Sequence, residues 1–178
     1  MTGKGVSAAA LTALLRHGSR FASRYEPRPA AILRELDQAL RTGRNDSLCT
    51  VFCARLGEQK VTVSSGGHPP GLVVGSDGAV AETVEPGPLL GAFHDGRWPE
   101  QELPVSRDQT LLLYTDGVIE AAGERDRFGT ERLKMFLSEH ASAGPDELLA
   151  QLDKRLSEFT GGLPRQDDVA ALALRPSD

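Results

Sequence analysis

Three aspartates have the side chains and positions in this sequence that best suit metal chemistry. Asp116 follows the apolar run LLLY, and Gly117 allows the chain to turn sharply after it. Asp167 and Asp168 stand directly before the apolar stretch VAALAL. Adjacent carboxylates repel each other unless something positive lies nearby, and hard cations such as Mg²⁺ and Mn²⁺ prefer oxygen ligands. We therefore predict a cation site built from Asp116, Asp167 and Asp168.

Each of the two acidic motifs also has a purely structural interpretation. Asp116 can close its strand with an Asx turn, and the pair Asp167-Asp168 can form a solvated turn. The residues alone leave both alternatives open. The cation site is favoured because both motifs flank strands that are predicted to be central in a sheet.

Other familiar chemistries find less support in the sequence. Gly3-Lys4-Gly5 lacks the upstream Gly and the following Ser or Thr of a phosphate-binding loop. No G-x-S-x-G motif of a serine hydrolase is present. His68, between Gly67 and Pro69, is more typical of a structural loop residue, and we retain it only as a candidate binding residue.

The two cysteines are predicted to be free thiols. Cys49 and Cys53 lie in the strand-like stretch SLCTVFCARL. Four residues along a strand span roughly 13 Å, which exceeds the Cα separation of about 7 Å that a disulfide allows. Free, buried cysteines are typical of a reducing compartment, so we expect a cytoplasmic protein.

Composition indicates one ordinary globular domain over residues 1–178. The chain has 178 residues, of which 39% are hydrophobic and 25% are charged, with a net charge of −5. The absence of a basic block disfavours nucleic-acid binding. No apolar run approaches the roughly 18 residues of a membrane span, so no membrane partner is expected.

The hydrophobic pattern predicts an α+β fold. Two helices are followed by a run of antiparallel strands, two further helices and a final strand. The predicted helices cover residues 6–25, 29–43, a segment that begins near 129, and 145–159; the predicted strands cover about 47–56, 60–66, 72–75, 79–84, 102–105, 110–115 and 168–174.

Several stretches in collinear order resemble the metal-dependent protein phosphatases of the protein phosphatase 2C-like (PPM) type, in their SpoIIE/RsbU-like bacterial branch. Two of these stretches depart from the family pattern. QDDVAALAL has Ala170 where the family has Thr, and SSGGHPPGLVV has Gly66 where Ala is usual. Any one motif would be weak evidence, but the order of several is specific. The stretches are GKGVSAAAL, SSGGHPPGLVV, PGPLLGAF, LLLYTDGVIEA, FGTERL and QDDVAALAL.

The resemblance implies a PPM-like α-β-β-α sandwich of antiparallel sheets flanked by helix pairs, and a serine/threonine protein phosphatase activity. Two Mn²⁺ or Mg²⁺ ions are implied, with no catalytic residue beyond the metal-activated water. Asp116 and Asp167 match family ligand positions, and we assign Asp168 after them. Gly117 and His68 are assigned as binding residues. The implied substrate is a phosphorylated anti-sigma-factor antagonist.

The resemblance also implies that part of the family pattern has no counterpart in the chain. The family places an acidic ligand two residues before the position of Met1, and an earlier acidic segment on its first strands. We therefore expect the domain to be N-terminally incomplete, to lack the first strands and to bind Mn²⁺ weakly. The exposed sheet edge that would result favours a homodimer.

Two other functions remain open at this point. One is a catalytically impaired, partner-binding remnant (a pseudophosphatase), which the missing upstream ligands favour. The other is a generic α+β scaffold with incidental acids, which the collinear motifs argue against.

Overall fold

A computed structural model of the chain describes residues 6–42, 47–58, 60–104, 106–162 and 167–176. In chain order its elements are α1 (Val6–Ala22), α2 (Pro29–Thr42), β1 (Val51–Leu56), β2 (Lys60–Gly66), β3 (Leu72–Val74), β4 (Val80–Glu82), β5 (Gln101–Pro104), β6 (Thr110–Tyr114), α3 (Asp116–Ile119), α4 (Gly129–Glu139), α5 (Pro145–Thr160) and β7 (Ala171–Leu174).

The chain forms two compact units, one of Met1–His68 with Val84–Pro104 and one of Pro69–Thr83 with Val105–Asp178. Each unit has its own antiparallel sheet, ordered β1-β2-β5 in the first and β4-β3-β6-β7 in the second. Within the described ranges, no helix is long and apolar enough to cross a membrane. The prediction of a single domain over 1–178 stays a prediction.

The first unit packs helix α2 and a long loop into one core. Pro29 begins α2, where its missing N–H costs nothing, and the helix buries Leu33 and Leu36. The Pro/Gly-rich segment at 85–100 contributes Leu90 and Trp98 to the same core. Cys49 and Leu90 bond through both backbone amides, at 3.3 and 3.1 Å. The predicted loop at 85–100 therefore packs as part of this core.

A buried carboxylate joins α2 to this loop. The Asp37 side chain is 2% exposed and lies 2.8 Å from the guanidinium of Arg41, one helical turn away. Its Oδ1 also accepts the Gly91 amide at 2.8 Å. A buried charge is tolerated when it is paired and hydrogen-bonded, as Asp37 is here.

In the second unit, helices α4 and α5 pack on the four-stranded sheet. Helix α4 buries Phe136 and Leu137, and α5 buries Leu148 and Leu152, in a core shared with β3 and β6. Strand β6 pairs with β3 on one side and with β7 on the other, and four of its five residues are buried. This confirms the prediction of a covered central strand over LLLY.

The structure differs from the sequence predictions mainly at strand β7 and at Asp116. In addition, α1 ends at Ala22 and β1 begins at Val51. Within the described part of the chain, strand β7 is an edge strand and not a central one, because β6 alone pairs with it there. It begins at Ala171, and a one-turn helix, α3, replaces the predicted simple turn at Asp116. The antiparallel α+β class itself is confirmed. Features predicted at Gly3–Gly5, Gly43 and Val105 lie outside the described residues.

Removal of the Asp37 side chain is expected to destabilise the first unit. Asp37→Ala leaves the Gly91 amide without its partner and removes the ion pair of Arg41, which keeps its bonds to His94. The expected cost is about 1–3 kcal/mol in unfolding free energy. Glu102→Ala is the matched control, because it breaks a pair with Lys60 whose side chains are 60% and 56% exposed. That control should cost less than about 1 kcal/mol. Urea unfolding measures both, and equal losses would contradict the assigned role of Asp37.

Both cysteines are expected to resist alkylation in the folded chain. Cys49 and Cys53 are free, and burial raises the pKa of each thiol from 9.0 to about 11. A two-unit rise lowers the thiolate fraction at pH 8 about 100-fold. Iodoacetamide should therefore react much more slowly with the native chain than with the chain in urea, and similar rates would contradict this. Because the unfolded thiols ionise first, stability should fall as pH rises from 9 towards 11.

Candidate functional site

The pairing of β6 with β7 brings the two acidic motifs to one end of a sheet. The strands are antiparallel, with Tyr114 opposite Ala171. The residues that follow β6 therefore lie beside the residues that precede β7. Asp116 belongs to the first group, and Asp167 and Asp168 belong to the second.

Thr115 joins the two segments beyond the last strand pair. Its amide donates to the Ala170 carbonyl at 2.9 Å. Its hydroxyl accepts the Ala170 amide at 2.9 Å and donates to the Asp168 carbonyl at 2.7 Å. Thr115 was not among the predicted site residues, although a hydroxyl residue directly before Asp-Gly at a strand end was the available signal.

Asp116 opens the single turn of α3 and is exposed. Its carbonyl accepts the Glu120 amide at 2.8 Å, and its Oδ1 lies 3.1 Å from the Gly117 amide. The neighbouring Tyr114 and Val118 are 3% and 0% exposed, so the acid projects from a well-packed base. Burial raises the pKa of the Tyr114 phenol, and the nearby Glu82 carboxylate raises it further.

The pair before β7 is also exposed to solvent. The Oδ1 of Asp167 accepts the amide of Asp168 at 2.8 Å, which fixes the bend between them. The local structure is therefore a turn, as the structural interpretation required. That turn is also hydrogen-bonded to Thr115, the residue before Asp116. A structural turn and a cation site are therefore compatible at this position.

Gly117 is required at its position by a close backbone approach. A Cβ built on Gly117 would lie 2.5 Å from the carbonyl oxygen of Asp168 and 3.0 Å from its carbon. Any side chain at Gly117 would therefore push the Asp168 segment away. The sequence predicts a sharp turn at Gly117, and the structure adds this packing constraint.

The donor chemistry of the two segments fits a hard cation, but the number of donors is small. Asp116, Asp167 and Asp168 offer only carboxylate oxygens, which Mg²⁺ and Mn²⁺ prefer. Within the described part of the chain, no group of three or more His, Cys, Asp or Glu side chains is arranged to hold a metal ion. Further oxygen ligands, such as water, would have to complete the coordination of any ion.

His68, the remaining predicted binding residue, lies in the first unit. Its ring packs edge-on against Phe52 at a centroid distance of 5.9 Å, and its carbonyl accepts the Ser65 hydroxyl at 2.9 Å. These contacts give His68 a structural role at the end of β2. Its assignment as a binding residue stays a prediction.

The chain matches a known protein family by sequence and known phosphatase domains by structure. The model described as SpoIIE, Stage II sporulation protein E, matches residues 1–177. The solved SiaA-PP2C domain of Pseudomonas aeruginosa superposes with a TM-score of 0.83 at 26% identity, covering 99% of this chain and 73% of that one. The α+β fold is thus the one found in PP2C-type phosphatase domains.

Two curated relatives from Bacillus subtilis (strain 168) are phosphoserine phosphatases. RsbP is 26% identical over 161 residues, which cover 86% of this chain and 38% of RsbP. RsbU is 22% identical over 177 residues, which cover 97% of this chain and 52% of RsbU. The chain therefore spans about half, or less, of the length of these relatives.

Substitution of Gly117 by alanine should displace the acidic turn before β7. The new Cβ meets the backbone of Asp168, which cannot move without breaking the Thr115 contacts, so we expect a loss of about 1–3 kcal/mol in unfolding free energy. Gly144→Ala is the control, because a Cβ there meets nothing within 4 Å. That control should remain within about 1 kcal/mol of wild type. Thermal unfolding of both variants tests this, and a neutral Gly117→Ala would contradict the packing argument.

Proposed function

The chain belongs to the SpoIIE family, and we propose that it forms the catalytic part of a metal-dependent serine/threonine protein phosphatase. The observation that supports this proposal most strongly is the hydrogen-bonded contact between the Asp116 and Asp167-Asp168 segments. Two separate acidic motifs meet at one sheet end through this contact, which supports a shared site. A generic scaffold has no need of that juxtaposition.

We assign the metal to Asp116 and Asp167, with Asp168 as the next candidate. Two proteins with this fold support the choice of metal: RsbX was solved in complex with magnesium, and the SpoIIE phosphatase domain after a manganese presoak. Such an ion, when bound, lowers the pKa of a coordinated water and offsets phosphate charge. The family resemblance favours two ions.

The residues of the chain contribute by holding the ion and by fixing where it lies. Asp116 and Asp167 supply negative oxygen donors, and Gly117 lets the two backbones approach. The reaction we propose is attack of water on the phosphorus of a phosphomonoester. The bond between phosphorus and the serine or threonine oxygen breaks, and inorganic phosphate and the free hydroxyl are the products. We assign no side chain as a nucleophile.

We propose a phosphorylated regulatory protein as the substrate, and an anti-sigma-factor antagonist as its most specific candidate. The support is the similarity to RsbP and RsbU, which are named phosphoserine phosphatases. A cytoplasmic location and a homodimer are part of the same proposal. Neither nucleic acid nor a membrane is proposed as a partner.

A catalytically impaired, partner-binding protein is the second candidate function. The observation that favours it is the lack, among the described residues, of any group of three or more side chains arranged for a metal. On this account the fold would still recognise a phosphoprotein but would release phosphate slowly. The same observation leads us to expect weak Mn²⁺ binding and slow turnover from the 178-residue chain on its own.

Hydrolysis of a phosphoserine peptide with added Mn²⁺ tests the catalytic proposal. The full gene product should release phosphate only with the metal, and Asp116→Asn or Asp167→Asn should lower turnover by about 100-fold or more, because misplacement of reacting groups by about 1 Å already costs that much. Asp146→Asn, the same change at an exposed position at the start of α5, is the control and should retain activity.

Three results would contradict the catalytic proposal. Metal-independent hydrolysis, or full activity in Asp116→Asn, would remove the acidic turns from the mechanism. Absence of turnover in the full gene product, with binding to a phosphoprotein retained, would favour the impaired, partner-binding function.

A further inference from the structure

We infer that Thr115 is a positioning residue whose hydroxyl holds the Asp167-Asp168 turn against Asp116 and thereby sets the affinity of the site for a divalent cation. This inference rests on the proposed metal-dependent function. Thr115 would not coordinate the metal itself. It acts through its hydrogen bonds to the backbone of Asp168 and Ala170.

Beyond the backbone bond from the Thr115 amide to the Ala170 carbonyl, the Thr115 hydroxyl makes the remaining hydrogen bonds between the end of β6 and the segment that precedes β7. The last strand pair joins Tyr114 and Ala171. Beyond it, Asp116 turns into α3, so its backbone no longer faces the segment that precedes β7. The amide of Ala170 and the carbonyl of Asp168 would then lack a partner from β6. The hydroxyl meets both, at 2.9 and 2.7 Å.

The Thr115 hydroxyl makes both bonds through a single atom. A hydroxyl donates one hydrogen bond and accepts others at the same time. Valine has nearly the same shape but neither function, whereas serine keeps both. The side chains of Ser and Val at this position therefore separate hydrogen bonding from packing.

The position of the acidic turn depends on these bonds because β7 is an edge strand. Among the residues that the structure describes, β6 is the one strand that pairs with β7 and so restrains the segment of Asp167 and Asp168. Asp116 follows Thr115 directly in the chain, so one side chain links both acidic segments. Partners that orient metal ligands from outside the coordination shell commonly contribute 10–100-fold in metal affinity.

The other end of the same strand pair provides a matched control. There, the Thr110 hydroxyl accepts the Nε of Arg175 at 2.8 Å, and Arg175 also donates to the Ala143 carbonyl at 2.8 Å. Thr110→Val thus removes a hydrogen-bonded threonine hydroxyl that connects β6 with the chain after β7. It does so at the end of the sheet opposite the acidic turns.

The experiment compares Thr115→Val, Thr115→Ser and Thr110→Val in the full gene product after removal of metal. Titration calorimetry with Mn²⁺ should show the dissociation constant of Thr115→Val raised about 10-fold or more. Thr115→Ser should stay within about twofold of wild type, as should Thr110→Val at its distant site. Hydrogen exchange should show loss of protection at the Ala170 amide in Thr115→Val alone.

The outcomes separate this inference from the proposed function. Wild-type Mn²⁺ affinity in Thr115→Val, or an equal loss in Thr110→Val, would overturn the role of Thr115 and leave the phosphatase proposal intact. Absence of Mn²⁺ binding by the wild-type protein would overturn both. If Thr115→Val does not fold, Thr115→Cys, whose thiol is a weak donor and acceptor, should give an intermediate dissociation constant, and an unchanged constant would contradict the inference.

Discussion

The antiparallel pairing of β6 with β7 is the interaction on which the candidate site depends. Because the strands run in opposite directions, residues separated by about fifty positions in the chain, at Thr115 and Asp168, become direct hydrogen-bond partners. The helices α4 and α5 stabilise this pair from one side through the core that contains Phe136 and Leu148. The fold therefore supplies a rigid base. The acids lie at the end of this strand pair where the chain leaves β6 and enters β7.

The sequence predicted that both acidic motifs lie at strand ends because apolar runs and turn residues are local signals. LLLY followed by Asp-Gly indicates a buried strand that ends in a sharp turn, and the alternation before Leu174 indicates the last strand. Neither signal reports pairing order, so the edge position of β7 was missed. The Thr115 contacts were missed for the same reason, since they join residues that are distant in sequence.

The loop at 85–100 shows a second limit of local reasoning. Its Pro and Gly content correctly indicated irregular backbone, but not that Leu90 and Trp98 would be buried or that the Gly91 amide would bond to Asp37. These contacts depend on which residues α2 places against the loop. The sequence of the loop alone does not contain that information. The family resemblance was more informative about metal chemistry than the spacing of the acids, because it assigned roles that a turn alone leaves open.

The central claim is that Asp116 and Asp167 hold one cation between them. A crystal structure of the protein soaked in Mn²⁺, with diffraction data collected at the manganese absorption edge, tests it most directly. The account predicts an anomalous peak about 2 Å from carboxylate oxygens of both residues. Manganese bound elsewhere, or the two carboxylates directed apart with no peak between them, would contradict it.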